Sequence, residues 1–165
     1  MQRVVKQQRV GLLVPSSNST QEPEFAAMLP SNVSLHVTRL GLASVDPDST
    51  LKIVAELEKE SKKLADADVD VILLAATAPS TRMGKGYDGQ LVQRIQDATG
   101  RRATTAATAM IAALGAYRAR RIALAGPWSS QTNQQVTDFL MSHGFEVVSQ
   151  VAAEVTRNND IGRLP

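Results

Sequence analysis

Arg9–Asn18 reads RVGLLVPSSN, an apolar run that stops at a proline and opens into small polar residues. A continuous apolar run of this length fits a strand covered on both faces, as in a parallel sheet flanked by helices. The polar turn behind it then lies at the carboxyl end of the strand, where open parallel sheets bind ligands. A second copy follows at Arg121–Ser129, RIALAGPWS, which shares Arg, Leu, Pro and Ser in register with RVGLLVPSS. Each copy continues into a polar turn and a helical pattern, so two α/β halves with both turns at one cleft are expected. The expected units are residues 1–118 and 119–165. The second starts at Arg121 and stops at Pro165, too short to repeat the first. The expected fold class is α/β, two pseudo-symmetric parallel-sheet halves with the second incomplete. Apolar sheet edges left that way invite self-association, so a homo-oligomer is expected.

Between the two copies, short apolar runs alternate with longer helical patterns, as in βαβ units. Val33–Leu40 alternates Val33, Leu35 and Val37 with Ser34, His36 and Thr38, a half-exposed strand. Val69–Ala75 and Arg121–Gly126 read as fully buried strands, with shorter or plainer ones at Ala103–Thr105 and Phe145–Val151. Helices are expected over Ser49–Asp66, with Leu57 and Leu64 on one face, and from a capping Asp88 to Thr99, stopped by Gly100. Two more cover the Ala-rich Ala106–Tyr117, as a packed helix, and Gln131–His143, stopped by Gly144. Ahead of the first helix, Ser19 and Glu22 have capping-box spacing, and Pro23 suits a first turn.

Composition removes several function classes. No apolar run approaches the roughly 18 residues that span a bilayer, and the opening MQRVVKQQRV is too polar for a secretory signal. A cytoplasmic location and no membrane partner are expected. Cysteine is absent, which takes disulfides, thiolate metal sites and thiol catalysis out of this chain. The basic clusters Arg101-Arg102 and Arg118–Arg121 fall at element ends, and one Trp, two Tyr and three Phe make no stacking platform. No nucleic-acid partner is expected. The two histidines, the methionines and the carboxylates lack metal-ligand spacing, so no metal is expected. His36 reads as a strand-surface residue and His143 as a helix-end residue before Gly144.

Polar side chains gather where the strands end. Ser16, Ser17 and Asn18 follow the first, Thr77, Ser80 and Thr81 the third, and Trp128, Ser129 and Ser130 the Arg121–Gly126 strand. Hydroxyls, amides and helix N-termini suit carboxylate or phosphate oxygens, although the same residues also serve as ordinary helix caps. GLLVPSSN carries no phosphate-loop pattern, and Gly84-x-Gly86-x-x-Gly89 has no strand running into it, so its glycines read as turn residues. In Val71–Gly89, VILLAATAPSTRMGKGYDG, the apolar run ends at Ala75-Ala76-Thr77. A residue with no functional group is thus followed by a single hydroxyl.

The segments VGLLVPSSN, LGLASVDPDS, VDVILLAATAPSTRMGKGYD, ATGRRATTAATAMIAALGAYRARRIALAGPWSSQTN and RNNDIGRL occur in this order. Through them the chain resembles the aspartate/glutamate racemase superfamily, in the branch of the maleate cis-trans isomerases and arylmalonate decarboxylases. The resemblance implies two pseudo-symmetric halves with the site between them, no cofactor, and small carboxylic-acid substrates. It places Ala76 where racemases and maleate isomerases carry a first cysteine and where the decarboxylases carry glycine. Thr77 matches the hydroxyl residue that follows in the decarboxylases, whereas Ala78 departs from their serine. Asn18 and Asn158 match asparagines that bind substrate carboxylate, and Trp128 stands where both groups usually have tyrosine. The second cysteine of the family would lie beyond Pro165.

The resulting expectation is a decarboxylase-like enzyme acting on a small malonate-type di-acid through an enediolate, with Thr77 as the catalytic donor. Ser16, Ser17, Asn18, Thr77, Trp128 and Asn158 form the expected substrate-binding set. An isomerase or racemase with altered first-cysteine chemistry, and a non-catalytic carboxylate-binding relative, are the competing expectations.

Overall fold

The structure, a computed structural model, describes residues 7–42 and 52–164. Strands β1 (Gln8–Pro15), β2 (Val33–Leu40), β3 (Val71–Leu74) and β4 (Arg102–Thr105) form one sheet in the order β2-β1-β3-β4. Every pairing is parallel, with Leu12 of β1 opposite Val37 on one side and Leu73 on the other. Strands β5 (Arg121–Gly126) and β6 (Glu146–Ala152) form a second, two-stranded parallel sheet. The parallel sheets and the βαβ order are those expected of the sequence.

One face of the larger sheet is closed by α2 (Leu57–Asp66) and α4 (Tyr87–Thr99). Leu13, Ile72 and Leu74 of the sheet meet Leu57, Leu64, Leu91 and Ile95 there, all buried. Fully burying a leucine-sized side chain is worth about 1.5–3 kcal/mol, so this layer dominates the stability of the first half. Gly11 makes the close approach possible. A Cβ at that position would stand 3.1 Å from Leu64 Cδ1 and 3.2 Å from Val69 Cγ2. The opposite face is thinner: Leu12, Val14 and Ala75 are buried, while Phe25 of α1 (Gln21–Met28), Leu35 and Val37 are only partly so.

That asymmetry corrects three expectations. β3 is not fully buried but alternates, with Ile72 and Leu74 inside and Val71 and Leu73 partly exposed. β5 likewise exposes Arg121, Ala123 and Ala125, because α6 (Ser130–Ser142) covers the other face with Val136, Phe139 and Leu140. α5 (Ala106–Ala116) buries Ala107 alone among its residues. Its first turn is docked, by Ala107 N–H on Ser80 Oγ at 3.3 Å, and the rest stands clear.

Helix ends show which local signals held. Gly100 and Gly144 adopt left-handed φ values of 65° and 87° and end α4 and α6 as expected. Asp88 is not a cap: Gly86 holds that position, and Asp88 lies in the first turn of α4, accepting from Thr108 Oγ1 at 2.7 Å. The Ser19–Glu22 box does not form either. Asn18 Oδ1 accepts from the N–H groups of Thr20 and Gln21 at 3.1 and 2.9 Å, and Glu22 pairs with Arg39 at 2.8 Å. The start of the Ser49–Asp66 helix and most of LGLASVDPDS lie outside the described residues.

Candidate active site

The carboxyl ends of β1 and β3 open onto a cleft of about 160 Å³, which the turn after β5 and the short helix α7 (Asn158–Ile161) close from the other half. Asn18, Ala76, Thr77, Trp128 and Asn158 all line it. Four turns separated along the chain meet here because parallel strands put all their carboxyl ends on one edge. Among the described residues no ionisable side chain lines the cleft. It can hold an anion by neutral donors, and its described lining residues supply no general acid or base.

Each turn is held by specific bonds. Ser16 N–H donates to Leu40 C=O at 2.7 Å, and Ser16 Oγ accepts from Leu42 N–H at 3.0 Å, so the β1 turn is laced to the end of β2. Ser17 Oγ donates to Leu42 C=O. Arg39 clamps the same turn, donating to the carbonyls of Ser16 and Asn18, both at 2.9 Å. Gln21 Nε2 donates to Ala75 C=O at 2.8 Å and fixes the end of β3 against α1. Asn158 Nδ2 donates to Ser17 Oγ at 2.9 Å and joins the two halves. Gly162 completes that joint. A Cβ there would lie 2.8 Å from Thr20 Cγ2, so any larger residue would push the end of α7 and the Thr20 side chain apart.

These bonds sort the polar residues named from the sequence. Asn18, Thr77, Trp128 and Asn158 reach the cleft; Ser16 and Ser17 stand behind it as its scaffold. Ser80 and Thr81 are buried in α3 (Thr77–Thr81) and return their hydroxyls to the carbonyls of Ala76 and Thr77 at 2.8 and 3.1 Å. Ser129 caps α6 through Thr132 N–H at 3.3 Å, and Ser130 bonds Glu154. Of these four only Ser129 caps a helix; Ser80 and Thr81 bond back within their own helix and Ser130 is spent on Glu154, so none of them is offered to a ligand. His36 bonds Ser34 Oγ on the strand surface, and His143 sits against Phe139 C=O at 2.9 Å.

Sequence reasoning missed Gln21, Arg39, Leu42 and Ile161. Gln21 and Ile161 are helix-end residues whose types suggest no chemistry by themselves, and Arg39 and Leu42 matter through backbone groups far along the chain. Gln21 Oε1 is buried without a hydrogen-bond partner, as is Asn133 Oδ1.

The comparisons with known proteins point the same way. The family model described as arylmalonate decarboxylase matches residues 10–165. A maleate isomerase of Pseudomonas putida is 32% identical over 94% of this chain and 67% of its own length. An arylmalonate decarboxylase of Bordetella bronchiseptica is 27% identical over 79% of this chain and 54% of its own length. Among solved structures, a cysteine-to-serine variant of the Nocardia farcinica maleate cis-trans isomerase, carrying a covalently bound succinylcysteine intermediate, superposes with a TM-score of 0.90. It is 28% identical, over 96% of this chain and 68% of that one. The chain thus spans about two thirds of the length of the maleate isomerases it matches. With its parallel sheets, paired turns and matching sequence, it belongs to the arylmalonate decarboxylase family, in the branch of the aspartate/glutamate racemase superfamily that also holds the maleate isomerases.

Proposed function

We propose that this chain builds the carboxylate-holding side of a cofactor-independent site for a small malonate-type di-acid, and that the chemistry is decarboxylation through an enediolate. The observation that carries this reading is the pair Ala76–Thr77 at the cleft. A side chain with no functional group adjoins a hydroxyl that no other described residue uses. One carboxylate of a malonate can leave as carbon dioxide if its bonding pair passes into the other, and fixed donors stabilise the resulting charge. Thr77 Oγ1 and Asn18 Nδ2 are the donors of this reading; Ala76, Pro15 and Leu42 supply an apolar wall that solvates the departing carboxylate poorly. Losing one such donor typically costs about 2.7–4 kcal/mol of barrier. Because no ionisable side chain lines the cleft among the described residues, the proton that quenches the enediolate comes, in this reading, from a group outside that lining, solvent included.

Maleate isomerisation is the second reading, favoured by the 32% identity to the Pseudomonas putida enzyme. A covalent adduct like that of the Nocardia farcinica variant has no thiol to form on in this chain. Binding without turnover is the third, favoured by the absence of ionisable side chains among the described lining residues. The expected result with a panel of malonates and with maleate is carbon dioxide release without fumarate. Fumarate without carbon dioxide would support isomerisation, and saturable binding with neither would support the third reading. The same proposal keeps the units 1–118 and 119–165, a cytoplasmic location and a homo-oligomer. The exposed Val148 and Val151 of β6 support self-association, and a monomeric mass in light scattering would overturn it.

A further inference from the structure

The parallel ladder between β1 and β3 ends one rung early, and a side chain supplies the missing rung. Ala75 N–H donates to Leu13 C=O at 2.9 Å, directly after the Leu13–Leu74 pair. In a parallel ladder, a residue that gives its N–H to position 13 takes the N–H of position 15 on its carbonyl. Alternation along β1 says the same, since Ser16 N–H turns the other way, to Leu40 C=O on β2 at 2.7 Å. Residue 15 is proline and has no N–H. Gln21 takes the place of that donor, with Nε2 on Ala75 C=O at 2.8 Å. A carbonyl only accepts, so the amide must face it with NH2, and its Oε1 is left buried without a partner.

The rung falls where it can shape the site. Ala75 C=O and Ala76 N–H belong to one planar peptide, and Thr77 opens α3 directly after Ala76. Gln21 also holds the facing turn, because its backbone N–H donates to Asn18 Oδ1 at 2.9 Å. One residue thus ties down both the Ala76–Thr77 turn and the Asn18 turn. Resting on the carboxylate-site reading above, we propose that Gln21 is a positioning residue. By standing in for the N–H that Pro15 lacks, it sets the separation of the Thr77 hydroxyl and the Asn18 amide. It acts through the Ala75–Ala76 peptide.

The test is a double-substitution cycle read by malonate binding, followed through the fluorescence of Trp128. Gln21→Met keeps the length of the side chain and removes the donor. Malonate affinity is expected to fall about threefold to tenfold, the worth of one hydrogen bond. Pro15→Ala returns a backbone N–H to the ladder. In that background Gln21→Met is expected to cost less than about twofold, because the main chain then makes the rung. A role in packing alone would cost the same in both backgrounds, and that result overturns the inference. So does unchanged affinity on Gln21→Met by itself. Melting temperatures of the four chains accompany the titrations. Were Gln21→Met alone unfolded, recovery of its fold by Pro15→Ala would support the rung, and failure to recover would overturn it. No binding of malonate to the unaltered protein overturns the carboxylate site and this inference with it.

Discussion

Asn158 Nδ2 lies 2.9 Å from Ser17 Oγ, two residues 141 positions apart in the chain. The bond joins α7 of the second half to the turn after β1, next to the place where Gly162 rests on Thr20. The cleft exists because these two turns meet.

Thr77→Val tests the donor assigned to the β3 turn. Valine keeps the shape and removes the hydroxyl, which no described protein group uses, so the melting temperature is expected to hold. Malonate affinity is expected to fall about threefold to tenfold, the worth of one hydrogen bond. A titration followed by Trp128, the one tryptophan of the chain, measures it. Unchanged affinity would remove Thr77 from the site.

Asn18 has two tasks that separate by substitution. Asn18→Ala loses both the acceptor for the Thr20 and Gln21 N–H groups at the start of α1 and the cleft donor, so stability is expected to drop by about 1 kcal/mol as binding weakens. Asn18→Asp keeps an oxygen for the Thr20 and Gln21 N–H groups but sets a negative charge against the ligand. Near-normal thermal stability with binding abolished is expected for it, checked by denaturant melts beside the same titration.

Gly126→Ala tests the packing under the β5 turn. A Cβ there would stand 2.0 Å from Asn133 Oδ1 and 2.9 Å from Trp128 Cε3, and Asn133 is itself buried. Overpacking of this kind typically costs about 1–3 kcal/mol. Urea unfolding measures it, and the shift of Trp128 should also perturb its emission.

Two carboxylates set the acid limb of stability. Bonding to Arg94 holds Glu58 below the usual carboxylate range, and bonding to Lys63 and Thr38 does the same for Glu60. Both pKa values are lower in the folded chain than in the unfolded one. Their contribution is therefore complete above about pH 5 and is lost as the pH falls through the folded values. Glu60→Gln is expected to lower stability at pH 7 and to flatten its decline between about pH 5 and pH 3. An unchanged slope in melts across that range would show that other carboxylates govern acid unfolding.

The parallel sheets, the alternating elements and the glycine helix stops were legible in the sequence, because apolar runs and left-handed caps are local signals. Burial was less so. RIALAG reads as a core strand, yet Ala123 and Ala125 are exposed, since covering a face is a property of whatever packs there. In the cleft, residue identity alone settled that Ala76 brings no thiol and Thr77 brings one hydroxyl. The tertiary structure decided which polar groups remain for a ligand. Ser80, Thr81, Ser129 and Ser130 look like site residues in the sequence and are spent on their own helices or on Glu154. Asn18 and Asn158 are both asparagines, yet one leaves a donor free and the other an acceptor. A side-chain amide carries both polarities, and only its bonded neighbours, here a helix end and a serine from the other half, choose between them.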